Sequence, residues 1–148
     1  PGHTILLVED DPDDVFLMQR ALKQAHVANP LQFATDGQQA QDYLSGTGPY
    51  QDRIKHPLPD LVFLDLKLPF IHGFEVLAWV RDHPELGRIP VVILTSSPEE
   101  RDIQQARRLG ARSFLVKPPS AQMLSDLMKS LTHDQPVEFT GPGGKPQR

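Results

Sequence analysis

The sequence contains no cysteine, and this absence excludes a disulfide scaffold, a cysteine nucleophile and any thiolate metal site. A long apolar run is also missing, since no stretch approaches the roughly 20 residues that a membrane-spanning helix needs. No basic region precedes the first apolar run, so the pattern does not predict a secretion signal. We therefore expect a cytoplasmic protein with no membrane partner.

An excess of positive charge is lacking too. The 15 Lys and Arg residues against 19 Asp and Glu residues give a net charge of −4. Proteins that bind nucleic acid through its phosphates show a basic balance instead, so no nucleic-acid partner is predicted. The six histidines are scattered, and none has a second histidine at the spacing typical of a zinc site.

Short apolar runs alternate with helical patterns along the 148 residues, a length typical of one domain. Four runs are apolar without alternation, which is typical of parallel strands covered by helices on both faces, and a fifth is more polar and fits an edge strand. The five predicted strands are 5–8, 32–35, 61–64, 91–94 and 114–116. A helical pattern follows each of them, which predicts a doubly wound α/β fold.

Two segments fall outside this alternation. Residues 45–59 form a long connection rich in glycine and proline, and residues 133–148 end in GPGGKPQR. The second composition is typical of a flexible tail. We therefore expect one folded domain over residues 1–132, followed by a flexible C-terminal tail over residues 133–148.

Charged and hydroxyl side chains follow the predicted strands at their carboxyl ends, which meet at one edge of a parallel sheet and bind ligands there. The first strand leads into Glu9 and Asp10, the third into Asp65, the fourth into Thr95 and the fifth into Lys117. Clustered carboxylates repel one another, and a hard cation such as Mg²⁺ relieves this repulsion. A carboxylate beside such a cation, with a lysine opposite, suits phosphoryl transfer.

Four ordered motifs carry a resemblance to a known family: ILLVEDDPDD, LVFLDLKLPFIHG, VVILTSS and SFLVKPP. Together they resemble the receiver domain of two-component response regulators, over about residues 4–132. The resemblance implies a flavodoxin-like fold, in which a five-stranded parallel sheet of order 2-1-3-4-5 is flanked by five helices. It also implies that a sensor histidine kinase donates a phosphoryl group to the receiver domain in a Mg²⁺-dependent reaction.

The resemblance assigns the chemistry position by position. Asp65 matches the phosphoacceptor, while Glu9, Asp10, Asp65 and the backbone carbonyl of Lys67 match the groups that hold Mg²⁺. Lys67 and Ser97 occupy positions that tune the rate of dephosphorylation in the family. Glu9 is a departure, because aspartate is more usual there.

The switch residues follow from the same motifs. Lys117 matches the lysine that binds a phosphoryl oxygen, and the Lys117–Pro118 bond resembles the cis peptide of the family. Thr95 matches the hydroxyl that moves towards the phosphoryl group. Phe114 matches the aromatic switch position, without the hydroxyl of the more frequent tyrosine. The resemblance implies that Phe114 then turns inward and repacks the face of helix 4, strand 5 and helix 5.

The long connection at 45–59, the motifs PDLVFLDLKLP and VKPP, and the lack of an output domain after helix 5 resemble single-domain regulators paired with bacterial phytochromes. This narrower resemblance implies a phytochrome-type sensor histidine kinase as partner. We expect a homodimer through helix 4, strand 5 and helix 5, and an unknown downstream protein. Such a regulator is a signalling switch and not a turnover enzyme, although it assists its own phosphorylation and dephosphorylation.

Three other functions compete with this interpretation. A haloacid-dehalogenase-type hydrolase needs a second acid two residues after the nucleophile, where this chain has Lys67. A flavodoxin-like cofactor binder needs a phosphate loop after the first strand, where the EDDPDD run repels phosphate unless a cation intervenes. The third alternative is a pseudo-receiver, a binding module that folds in the same way and is never phosphorylated.

Overall fold

The computed structural model of the protein describes residues 3–132, so the predicted tail at 133–148 lies outside the described residues. Strands and helices alternate five times, and a short 3-10 helix at Gly48–Tyr50 precedes the third strand. The strands are β1 (Ile5–Val8), β2 (Leu31–Ala34), β3 (Leu61–Asp65), β4 (Val91–Thr95) and β5 (Ser113–Val116). The helices are α1 (Pro12–Gln24), α2 (Gly37–Ser45), α3 (Gly73–Asp82), α4 (Glu100–Arg108) and α5 (Ala121–Thr132).

All five strands are parallel and form one sheet of order β2-β1-β3-β4-β5. This order confirms the predicted doubly wound α/β fold. β2 and β3 lie on opposite sides of β1, so the order in which the strands are added reverses between β1 and β3. Ligands of such sheets bind at this point, outside the carboxyl ends of the strands. Within residues 3–132, no helix is both long enough and apolar enough to cross a membrane.

Helices cover both faces of the sheet because successive strand residues point to opposite sides. Leu6 and Val8 contribute to the apolar layer that the sheet forms with α2, α3 and α4. Ile5 and Leu7 contribute to the layer formed with α1 and α5. Since β1, β3 and β4 lie inside two such layers, they are apolar along their length, except at the carboxyl ends of β3 and β4, where Asp65 and Thr95 stand.

Local sequence signals set the ends of the helices. The Asp11 carboxylate accepts a hydrogen bond from the Asp13 N–H at 2.9 Å, and Pro12 occupies the first helical position of α1. Ser120 Oγ accepts from the Met123 N–H at 3.1 Å at the start of α5. Gly110 follows α4 with a φ of 85°, a backbone conformation that favours glycine.

The connection between α2 and β3 is held by one arginine. The Arg53 guanidinium donates to the carbonyls of Tyr43 and Leu44, both at 2.8 Å, and to that of His56 at 3.1 Å. The first two carbonyls belong to the last turn of α2, where helical carbonyls have no partner within the helix. Arg53 therefore fastens the connection to the end of α2.

Candidate functional site

The residues of the candidate site lie at one rim of the sheet, at the carboxyl ends of β1, β3, β4 and β5. Glu9 directly follows β1 and is 3% exposed, while Asp65 ends β3 and is 5% exposed. Thr95 ends β4 and is likewise buried, and Lys117 directly follows β5. Apolar strands thus carry polar groups into a position where burial of an unpaired charge is costly.

Three carboxylates meet at this rim. Glu9, Asp10 and Asp65 each offer a carboxylate oxygen, and the three oxygens lie within 4.8 Å of one another. Asp10 is exposed, whereas Glu9 and Asp65 are buried. This oxygen donor set suits Mg²⁺, which binds through a few carboxylates and completes its shell with water and phosphate oxygens. The residues therefore fit the metal that the sequence predicts.

Lys117 is the cation that balances these acids. Its Nζ lies 2.9 Å from Glu9 Oε1, 2.7 Å from Asp14 Oδ2 and 3.2 Å from Asp65 Oδ1. An ammonium group has three N–H donors, so these three carboxylates can use all of them. Burial acts to lower the pKa of Lys117, but hydrogen bonds to Asp14 and Glu9 outweigh it, and the pKa is raised. Lys117 is therefore charged at any physiological pH.

The buried acids bind protons more readily than usual. Burial raises the pKa of Glu9 to about 7, with the Asp65 charge acting in the same direction and Lys117 against it. Burial also raises the pKa of Asp65, although Lys117 opposes the rise. Burial therefore outweighs the lysine at both carboxyl groups, and each holds a proton more readily than an exposed acid would.

The remaining predicted residues surround this centre. The backbone N–H of Lys67 donates to the Asp65 carboxylate, and the Lys67 side chain is exposed. Thr95 Oγ1 accepts a hydrogen bond from the Ser97 N–H at 3.2 Å. The N–H of Lys117 donates to the carbonyl of Thr95 at 2.8 Å, and the Lys117–Pro118 peptide bond is cis.

Phe114 is already inside the protein in this structure. Its ring is fully buried in the layer between the sheet and α2, α3 and α4. The inward turn that the resemblance implies is therefore not a change from this conformation. A phenyl ring lacks the hydroxyl that would favour an exposed position, so burial costs it no hydrogen bond.

Asp14 is a contact of the site that the sequence-based prediction missed. It lies in the first turn of α1, and its Oδ2 makes the shortest of the three carboxylate contacts with Lys117 Nζ, at 2.7 Å. The signal that could have found it is helical spacing. Asp14 precedes the buried residue Met18 by four positions, which places both on the face of α1 that looks towards the sheet.

Gly73 lets the segment after β3 fold back onto the rim. A Cβ atom at this position would lie 2.6 Å from the carbonyl oxygen of Asp65 and 2.9 Å from that of Leu66. The Gly73 N–H donates to the Leu66 carbonyl at 2.9 Å. The glycine of the PFIHG motif is thus required by a close approach between two parts of the backbone.

Comparison with known proteins identifies the class of the fold and site. Residues 5–129 match the family model described as the response regulator receiver domain, and the chain belongs to this family. It is a receiver-domain response regulator related to phytochrome response regulators. Both the family resemblance and the narrower one are thereby confirmed.

Three relatives support this relationship. Response regulator Rcp1 of Synechocystis is 40% identical over 129 residues, which cover 87% of this chain and 84% of Rcp1. A Mn²⁺-bound structure of Rcp1 matches with a TM-score of 0.71 and 38% identity, covering 90% of this chain and 91% of that one. The bacteriophytochrome response regulator AtBRR matches with a TM-score of 0.79 and 42% identity, covering 89% of this chain and 94% of that one. The phosphorylated cyanobacterial phytochrome response regulator RcpA matches with a TM-score of 0.74 and 35% identity, covering 90% and 93%.

Proposed function

We propose that the protein accepts a phosphoryl group on Asp65 from a sensor histidine kinase, in a Mg²⁺-dependent reaction, and thereby switches its contacts with other proteins. The observation that carries this proposal is the position of the buried Asp65 carboxylate. It lies 3.2 Å from the Lys117 ammonium and within 4.8 Å of carboxylate oxygens of Glu9 and Asp10. Phosphoryl transfer depends mainly on such positioning and charge neutralisation.

The transfer step uses Asp65 as the nucleophile. An Asp65 carboxylate oxygen forms a bond to phosphorus while the P–N bond of the donor phosphohistidine breaks. The imidazole nitrogen keeps the electron pair of that bond and takes up a proton. Lys117 binds a phosphoryl oxygen, and Thr95 supplies a hydroxyl to the same group.

Glu9, Asp10 and Asp65 would hold Mg²⁺, together with the backbone carbonyl of Lys67. The cation would neutralise the charge that develops on the phosphoryl oxygens. Support for a metal comes from the oxygen donor set and from the Mn²⁺-bound structure of the relative Rcp1. Lys67 and Ser97 would tune dephosphorylation, because they match the positions that do so in the receiver-domain family, and both residues are exposed.

The kinase that we propose as donor is of the phytochrome type, because the relatives AtBRR and RcpA are phytochrome response regulators. Residues 1–132 would form the receiver domain and residues 133–148 its tail. The output would be self-association through α4, β5 and α5, which include Phe114, and binding of a downstream protein. Light scattering with and without phosphorylation tests self-association, and a monomer in both states contradicts it.

Phosphotransfer from a purified phytochrome-type histidine kinase tests the central proposal. We expect label on the wild type with Mg²⁺, and loss of label with a chelator or in Asp65→Asn. Asp60→Asn is the matched control, because Asp60 is an exposed aspartate that precedes β3 at the opposite edge of the sheet. Equal labelling of Asp65→Asn contradicts the assignment, and an unlabelled wild type with every donor favours a pseudo-receiver.

A further inference from the structure

Phe70, in the segment between β3 and α3, combines two unfavourable features. Its side chain is 91% exposed, and its φ of 69° lies in the left-handed region that bulky side chains rarely adopt. The Ile71 N–H donates to the Pro69 carbonyl at 2.8 Å, which closes a three-residue turn around Phe70. Glycine or asparagine would adopt this backbone with less strain and would expose no ring.

Exposure alone would carry no inference, since single apolar residues at the surface are common. Ile54 is 92% exposed, but its backbone is not left-handed. Within residues 3–132, the non-glycine residues with positive φ are His26 and Phe70. Histidine is among the residues that tolerate this conformation. Phe70 is therefore the described residue at which strain and an exposed apolar side chain coincide, and strained residues cluster at functional sites.

The strained turn at Phe70 lies close to the proposed phosphoacceptor Asp65 in the sequence and in the fold. Phe70 follows Asp65 by five residues, and the hydrogen bond from Gly73 to Leu66 folds the segment back onto the end of β3. The turn that carries Phe70 therefore follows the carboxyl end of β3, the end at which Asp65 lies. A protein that brings a phosphoryl group to the buried Asp65 carboxylate must cover this rim, whereas a small phosphodonor need not.

We propose that Phe70 is a docking residue for the protein that donates the phosphoryl group, and that the strained turn holds its ring outward for insertion into an apolar recess of the donor. This inference depends on the proposed function, because it names the contact through which the partner of that site is recognised. Exposed aromatic residues that become buried at an interface commonly dominate its affinity.

The test compares a protein donor with a small one. The protein donor is a phytochrome-type histidine kinase, phosphorylated by ATP and chosen because it labels the wild type, and the small donor is acetyl phosphate with Mg²⁺. Phe70→Asn removes the ring and suits the left-handed backbone, while Phe70→Tyr keeps an aromatic ring. Ile54→Asn is the matched control, since it removes an equally exposed apolar side chain from the connection before β3.

We expect Phe70→Asn to raise the KM for transfer from the kinase about tenfold or more, the loss typical of a truncated anchor residue. Its labelling by acetyl phosphate should stay at the wild-type rate, and its thermal midpoint should equal or exceed that of the wild type. Phe70→Tyr should retain most of the transfer from the kinase, and Ile54→Asn should match the wild type with both donors.

Three results would overturn the inference: unchanged kinase transfer in Phe70→Asn, an equal loss with both donors, or a lowered thermal midpoint that explains the loss. A changed mass in light scattering with unchanged kinase transfer would assign Phe70 to contact with a second copy and would also contradict it. If acetyl phosphate and every phytochrome-type kinase tried leave wild-type Asp65 unlabelled, the proposed function itself is wrong. The acetyl phosphate reaction therefore distinguishes the two failures.

Discussion

Substitution of Glu9 by glutamine should stabilise the metal-free protein in alkaline solution. Glu9 is 3% exposed and lies with Asp10 and Asp65 in a cluster of acids whose partly buried counter-ion is Lys117. The folded protein keeps a proton on Glu9 up to about pH 7, whereas the unfolded chain loses it near 4.5. The folded state therefore binds more protons between these values, and the free energy of unfolding falls as the pH rises through this window.

The size of the effect follows from the pKa. A rise from 4.5 to about 7 corresponds to a loss of about 3 kcal/mol of stability above the folded pKa. Glutamine carries no charge and still accepts a hydrogen bond from Lys117, which also retains its contacts with Asp14 and Asp65. Because the glutamine bond is weaker than one to a carboxylate, the net gain of Glu9→Gln should be about 1–3 kcal/mol at about pH 8.

Urea unfolding in chelator at about pH 5 and about pH 8 measures the difference. The two proteins should be nearly equally stable in acid, where folded wild-type Glu9 is protonated, and Glu9→Gln should be the more stable at the higher pH. Excess Mg²⁺ should stabilise the wild type more than the variant at the higher pH, because the variant lacks one metal-binding carboxylate. A variant that is less stable than the wild type at about pH 8 in chelator would refute the reasoning.

Two further substitutions test other contacts of the rim. Asp14→Asn should bind beryllofluoride, a phosphoryl mimic, about fivefold more tightly in the presence of Mg²⁺. The charge-assisted hydrogen bond from Lys117 to the Asp14 carboxylate is stronger than one to an asparagine amide by about 1 kcal/mol, so the variant leaves Lys117 easier to recruit. Equal or weaker binding in a titration would contradict this role. Gly73→Ala should lose about 1–3 kcal/mol of unfolding free energy in urea, because its Cβ would lie 2.6 Å from the Asp65 carbonyl oxygen; wild-type stability would show that the backbone yields there at little cost.

Much of the fold could be predicted because the local signals are strong and agree with one another. The apolar runs of β1, β3 and β4 are buried along their whole length, and the polar β2 lies at the edge of the sheet. Caps such as Asp11 and Ser120 form the hydrogen bonds that their residue types favour. The carboxyl-end rule then places Glu9, Asp65 and Lys117 at one rim without any knowledge of side-chain conformations.

The contacts that escaped prediction depend on where long side chains end. Nothing in the composition of residues 45–59 indicates that Arg53 bonds three carbonyls, since these acceptors are brought together only by the folded chain. The contact of Asp14 could not be predicted for the same reason, because it depends on the rotamer of Lys117, which lies 103 residues further along the sequence. The left-handed turn at Phe70 is missed for a different reason: the residue type argues against the conformation that the chain adopts.

The distribution of charge at the rim links metal binding to phosphorylation. With Lys117 shared among Glu9, Asp14 and Asp65, no N–H of the ammonium is left for a phosphoryl oxygen unless one carboxylate releases it. A cation held by Glu9, Asp10 and Asp65 would neutralise part of the charge of these carboxylates and so would weaken the ion pairs of Glu9 and Asp65 with Lys117. Asp14 lies outside this cluster of three and would retain its contact. We therefore expect metal binding to prepare Lys117 for the phosphoryl group, with Asp14 as the remaining competitor for the ammonium.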